Sequence, residues 1–193
     1  MIDLISEAHR FQLFCESRAW QFCFIGGIAV QHWAEPRLTR DVDVSLMTGF
    51  GNEDEFITSI LNTYQPRIPD AALFAQRHRV LLVRTESGID FDVSLAALPF
   101  EEQMIERSVL IEFLDGVHLR ICSAEDLVVL KSFANRSQDW SDVKSLLIRQ
   151  GVKNLNWPQI ETDLEPLISV KGEPGILDQL IAIRRELSLT ENS

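Results

Sequence analysis

Asp41 and Asp43 stand two residues apart in a stretch that alternates Val42, Val44 and Leu46 with Asp41, Asp43 and Ser45. A period of two predicts a strand over 40–46 with one apolar and one polar face. Both carboxylates then project from the same face, close enough to share a hard cation. Without positive charge between them they would repel one another. A metal ion would supply that charge, as would Arg37 and Arg40. A second pair, Asp90 and Asp92, lies in the predicted strand 89–95, with Arg79 and Arg84 as alternative partners.

Gly26 and Gly27 fall between a wholly apolar stretch, 22–25, and a helical pattern over 28–34 that closes at Pro36. Two glycines at a strand-to-helix turn let the backbone approach a bulky anion, and the helix N-terminus aims N–H groups at it. Strand, glycine turn, short helix and acidic strand together would set a phosphate cradle beside a metal site. A triphosphate carried on magnesium needs that arrangement.

The glycine pair with Ile28, followed by the run 36–44 in which Arg37, Thr39, Asp41 and Asp43 alternate, resembles a known signature. It is the glycine pair and R-x-T-x-D-x-D motif of the DNA polymerase β-like nucleotidyltransferase superfamily, and more narrowly of AbiEii-type bacterial toxins and their relatives. Downstream, Ser123, Ala124, Glu125, Asp126 and Leu127, then Lys131, Ala134, Arg136, Asp139 and Asp142, resemble the helical motif of the same toxins. The resemblance implies that Gly26 and Gly27 contact phosphates, with Arg37 and Thr39 also at the nucleotide. It implies that Asp41 and Asp43 ligate Mg²⁺. A third carboxylate, Asp92 with Asp90 as the alternate, would complete the metal site and act as general base. Lys131 would face the triphosphate, with Asp139 or Asp142 near the site or holding Arg136. Two departures stand out. Ile28 occupies a position where many members carry a Ser or Thr hydroxyl, and Gln138 precedes Asp139 where a lysine is common.

The elements that must position these residues follow from patterning. A helix is expected over 3–18, with Leu4, Ile5, Ala8, Phe11, Leu13 and Phe14 apolar, and another over 52–64 with Asn52 as N-cap. Strands 80–85 and 89–95 form one hairpin, and Asp115-Gly116 marks a second between 110–113 and 117–121. A helix over 100–107 separates them. After Cys122 the pattern is helical throughout: 124–134, 138–150, 157–169 and 174–188, the first opened by Ser123 as N-cap. The fold expected is α/β (α+β), a nucleotidyltransferase-like mixed β-sheet core over 1–122 flanked by helices, with a helical C-terminal part over 123–193 packed on it.

Composition narrows the function. A net charge of −11 argues against a surface that grips nucleic acid throughout. Local basic groups remain, at Arg77, His78, Arg79 and Arg84, and again between Lys131 and Lys153. Three scattered cysteines, Cys15, Cys23 and Cys122, lack metal-ligand spacing and suit buried thiols. No apolar run reaches the length of a membrane span, so a cytoplasmic protein is expected. The leading expectation is a Mg²⁺-dependent transferase moving a nucleotidyl group from a nucleoside triphosphate to a hydroxyl on RNA, protein or a small molecule. Its setting would be that of a toxin with a cognate antitoxin, or of phage defence. The alternative is a nucleotide- or protein-binding module without turnover. A resistance-type enzyme acting on a small cationic substrate also fits the acidic balance.

Overall fold

The computed structural model describes residues 2–190. The chain forms two compact units. One takes the chain up to Ile28 together with Leu38–Cys122, and the other takes Ala29–Arg37 and the chain from Ser123 on.

The first unit is built on a seven-stranded mixed sheet. Its elements are α1 (Ile2–Glu16), β1 (Phe22–Phe24), the first residues of α2 (Gly26–Trp33), β2 (Asp41–Met47), α3 (Glu53–Leu61) and β3 (Gln65–Pro66). They continue with α4 (Ala71–His78), β4 (Val80–Arg84), β5 (Asp90–Ala96), α5 (Pro99–Glu106), β6 (Val109–Leu114) and β7 (Val117–Ile121). The strand order is β3-β4-β5-β2-β1-β7-β6. β2 runs parallel to β5 and β1 parallel to β7, while the other neighbours are antiparallel.

Apolar periodicity explains how α1 docks. Leu4, Ile5, Ala8, Phe11 and Cys15 are buried, at helical spacings of one face. Phe11 stacks on Phe91 of β5, with ring centroids 5.1 Å apart, and lies 5.5 Å from the Tyr64 ring. Leu13, expected in this apolar set, points outward and is half exposed. Gln12 is buried instead. Its side chain donates to the His118 carbonyl at 3.1 Å and accepts from the Arg120 N–H at 2.9 Å, so the amide satisfies β7 backbone that α1 covers. The three cysteines are buried, and burial pushes the Cys15 thiol well up.

Several expectations shift in detail. Gly26 and Gly27 are themselves the first residues of α2. Asn52 precedes α3 but makes no side-chain cap bond. Residues 71–78, which carry no expected element, form α4 between two left-handed residues, Asp70 and Arg79. On the polar face of β2, Ser45 is buried while Asp41 and Asp43 stay accessible.

The second unit contains the rest of α2 and the helices α6 (Ala124–Ala134), α7 (Ser137–Gln150), α8 (Trp157–Lys171) and α9 (Gly175–Thr190), with a short 3-10 turn at Val152–Asn154. Ser123 caps α6 by accepting from the Asp126 N–H at 3.1 Å. Its hydroxyl donates back to the Asp126 carboxylate at 2.6 Å, a variant of the reciprocal capping box. Leu127, Val128, Val143, Leu147, Ile160, Leu164 and Leu180 form the core of this unit. None of the described helices is long and apolar enough to cross a membrane.

Candidate active site

β2 and β5 pair in parallel register, which sets Asp41 opposite Asp90 and Asp43 opposite Asp92. Four carboxylates at one end of two neighbouring strands require compensation. Arg84 stands opposite Asp90 on β4 and grips it with Nε and Nη2, the second bond at 3.0 Å. That hydrogen bonding holds the Asp90 carboxyl below its usual range. Arg67, just past β3, donates from Nη1 to Asp92 Oδ1 and, at 3.4 Å, to the Phe91 carbonyl. Its Nε lies 3.7 Å from Asp90 Oδ2. The backbone of Arg67 is anchored by its N–H to the Leu82 carbonyl at 3.1 Å.

Asp41, Asp43 and Asp92 each offer one carboxylate oxygen, and these three atoms lie within 4.8 Å of one another. Oxygens that ligate one Mg²⁺ at about 2.1 Å can be at most about 4.2 Å apart. Cis oxygens on the same ion stand about 3.0 Å apart, so the three carboxylates would draw together to share a single hard divalent cation. Asp90, on the same strand face as Asp92, is held instead by Arg84.

The glycine pair is dictated by the side chains of Asp43 and Thr39. Gly26 has φ +55°, and a Cβ there would lie 1.9 Å from Asp43 Oδ2. A Cβ on Gly27 would lie 2.1 Å from Thr39 Oγ1. The Gly27 N–H donates to Asp43 Oδ2 at 3.3 Å, so Asp43 sits at the positive end of α2, where a negative charge is favoured. Thr39 donates to the Asp41 backbone carbonyl or carboxylate, both at 3.3 Å, which ties Thr39 to the start of β2. Ile28 is fully buried and presents nothing polar.

Gly26→Ala is therefore expected to cost about 2 kcal/mol or more, combining left-handed strain with displacement of Asp43. Gly88→Ala is the control. It shares positive φ (+87°) but meets open space, so only the backbone cost of about 1 kcal/mol applies. Denaturation midpoints of the two variants measure the difference.

The other candidate residues lie in the helical unit. Lys131 is buried, with Nζ 3.0 Å from Asp139 Oδ1 and 2.8 Å from Asp142 Oδ2. Arg37 clasps Asp142 through Nε at 2.7 Å and Nη2 at 2.8 Å. Arg136 bonds Asp139 at 2.6 and 3.2 Å, and Gln138 Nε2 donates to Asp142 at 3.1 Å. The helix is not continuous here, because Asn135 ends α6 in a left-handed conformation. Lys131, Asp139 and Asp142 nevertheless meet across the α6–α7 turn. Burial raises the Asp142 carboxyl, but hydrogen bonds from Arg37 and Lys131 outweigh it and hold the group at about 2. Asp139 is likewise raised by burial and lowered overall by Arg136 and Lys131.

The R-x-T-x-D-x-D run is thus divided. Arg37 serves the helical unit, while Thr39, Asp41 and Asp43 serve the sheet unit. Arg79 and Arg84 are likewise engaged, Arg79 by Glu53 and the Leu95 carbonyl and Arg84 by Asp90. Arg67 is the residue that sequence reasoning missed. It lies between Pro66 and Pro69 in apparent loop, and the two-residue strand that places it leaves no periodic trace.

This fold is that of nucleotidyltransferase-like proteins. An antigenic nucleotidyltransferase-like protein from Paracoccidioides brasiliensis superposes with a TM-score of 0.52 at 15% identity, over 93% of this chain and 92% of that one. The antibiotic-resistance factor ANT(2'')-Ia, in its solution structure, superposes with a TM-score of 0.50 at 12% identity, over 89% of this chain and 91% of that one. Residues 1–170 match the family described as nucleotidyltransferase of unknown function (DUF6036), and the chain belongs to that family. No curated protein is similar enough in sequence to count as a match.

Proposed function

We propose that the chain transfers a nucleotidyl group from a Mg²⁺-bound nucleoside triphosphate to an acceptor hydroxyl. The observation that carries this reading is the convergence of Asp41, Asp43 and Asp92 oxygens within 4.8 Å beside the glycine turn. Asp41 and Asp43 would hold the cation, which neutralises charge building on the phosphates during displacement. Asp92 would take the proton of the acceptor hydroxyl as its oxygen bonds to the α-phosphorus. Pyrophosphate leaves with the electron pair of the broken bond. The Gly26 and Gly27 amides at the start of α2 would steady the phosphates, and Thr39 would hold Asp41 in place.

The net charge of −11 favours a small cationic acceptor over RNA. ANT(2'')-Ia, with which the chain shares its fold, is an antibiotic-resistance factor. A toxin role of the AbiEii kind rests on the sequence signature, and a cognate antitoxin would then be the partner. Incubation with each α-labelled triphosphate, Mg²⁺ and separate pools of RNA, protein and small hydroxylated amines tests the reading. Label transferred to one pool in a Mg²⁺-dependent manner is expected. Transfer that persists in excess chelator would sink it.

The buried Ile28 favours a second reading, nucleotide binding without turnover, because no hydroxyl is offered at that position. Triphosphate binding with no label transfer to any pool would support it.

A further inference from the structure

Arg67 is hydrogen-bonded to Asp92, one of the three carboxylates of the candidate metal group. Its Nη1 donates to Asp92 Oδ1, its Nε lies 3.7 Å from Asp90 Oδ2, and its side chain is about a fifth exposed. The contact is built rather than incidental. The Arg67 N–H is fixed to β4 at Leu82, and Nη1 also reaches the Phe91 carbonyl beside Asp92. A guanidinium is a fixed positive charge, so it serves as a lasting counter-charge. A divalent ion held by the Asp41, Asp43 and Asp92 oxygens would draw on the same Asp92 carboxylate that Arg67 bonds.

We infer that Arg67 is a stand-in cation for the third carboxylate: it neutralises and holds Asp92 in the metal-free protein and competes with the divalent ion for that side chain. This rests on the reading of Asp41, Asp43 and Asp92 as the metal group. Arg67 is a positioning residue in this scheme, acting through Asp92. Metal uptake is coupled to release of its guanidinium, which keeps the like-charged strand ends stable until the cation arrives. Asp90 stays neutralised throughout by Arg84.

The test is Mn²⁺ binding to the full chain, followed by electron paramagnetic resonance, for wild type, Arg67→Gln, Arg67→Lys and Asp43→Asn. Removing the competing charge in Arg67→Gln is expected to tighten Mn²⁺ binding by about three- to tenfold. The thermal midpoint of that variant without metal should fall, and its gain on adding Mn²⁺ should exceed that of the wild type. Arg67→Lys, which keeps the charge, is expected to stay within about twofold of wild type. A merely structural arginine would leave affinity unchanged or weaken it when removed. Either result in a variant with wild-type circular dichroism overturns the inference while leaving the metal group standing, provided Asp43→Asn binds less Mn²⁺ than wild type. Wild type and Asp43→Asn binding Mn²⁺ equally would overturn the metal group and this inference together.

Discussion

Asp43→Asn is expected to lower nucleotidyl transfer by about a thousandfold or more, equivalent to about 4 kcal/mol of lost transition-state stabilisation. The substitution is nearly isosteric, and the amide oxygen can still accept from the Gly27 N–H that now bonds Asp43 Oδ2. Folding should therefore survive, with a denaturation midpoint close to that of wild type. What disappears is one negative charge at the centre of the group formed with Asp41 and Asp92. Measuring label transfer from an α-labelled triphosphate beside the midpoint separates the two effects. A variant that folds and transfers at the wild-type rate would remove Asp43 from the chemistry.

Lys131→Met is expected to cost about 3 kcal/mol or more of stability. Lys131 is the cation that Asp139 and Asp142 share inside the helical unit, and all three side chains are at least nine-tenths buried. Arg37 and Gln138 remain on Asp142 and Arg136 remains on Asp139, but both carboxylates lose the buried cation they share. The same cluster sets an acid response. Asp142 titrates at about 2 in the folded protein against 3.8 ordinarily. A depressed carboxyl contributes stability above its unfolded value and loses it as pH falls toward the folded one. The contribution, about 2 kcal/mol, should be complete above about pH 4 and vanish progressively toward pH 2. Asp139, raised by burial but lowered overall by Arg136 and the shared Lys131, adds to the loss in that region. Urea midpoints for wild type and Asp142→Asn between pH 5 and 2 measure it, and the variant should show the flatter profile. Parallel profiles would mean that Asp142 is not the responsible group.

What was legible in the sequence follows from how local each signal is. The strand at Asp41–Met47 was readable because alternation is a property of neighbours along the chain, and so was the capping of α6 by Ser123. The hairpin at Gly116 was legible for the same reason, and its φ of +71° is what the Asp-Gly pair signals. Asp90 and Asp92 could not be separated by spacing, since both face the same way. Only the register across β2, β4 and β5 gives them different partners. Arg67 was invisible because its place depends on a two-residue edge strand containing Pro66, which pairs with Val83. α4 lacks the usual N-terminal mark, for Asp70 adopts a left-handed conformation and makes no side-chain cap bond. Burial of Ser45 at the end of an otherwise polar face is likewise a tertiary fact, set by what covers the sheet.

The division of the chain has a bearing on how it can be dissected. The polypeptide crosses between the units three times, after Ile28, after Arg37 and after Cys122, so the helical unit is discontinuous, with strands β2 to β7 inserted between its two segments. A fragment starting at Ser123 would lack the short segment that closes it. Arg149 would lose the Ala34 carbonyl, Gln150 the Trp33 carbonyl at 2.7 Å, Ser145 the Glu35 amide at 2.8 Å, and Asp142 the Arg37 guanidinium. Cutting at the obvious boundary would thus strip the helices of four polar partners. A fragment that fuses 29–37 directly to the chain from Ser123 on, or a split protein supplying 29–37 in trans, respects the folding unit where a simple truncation does not.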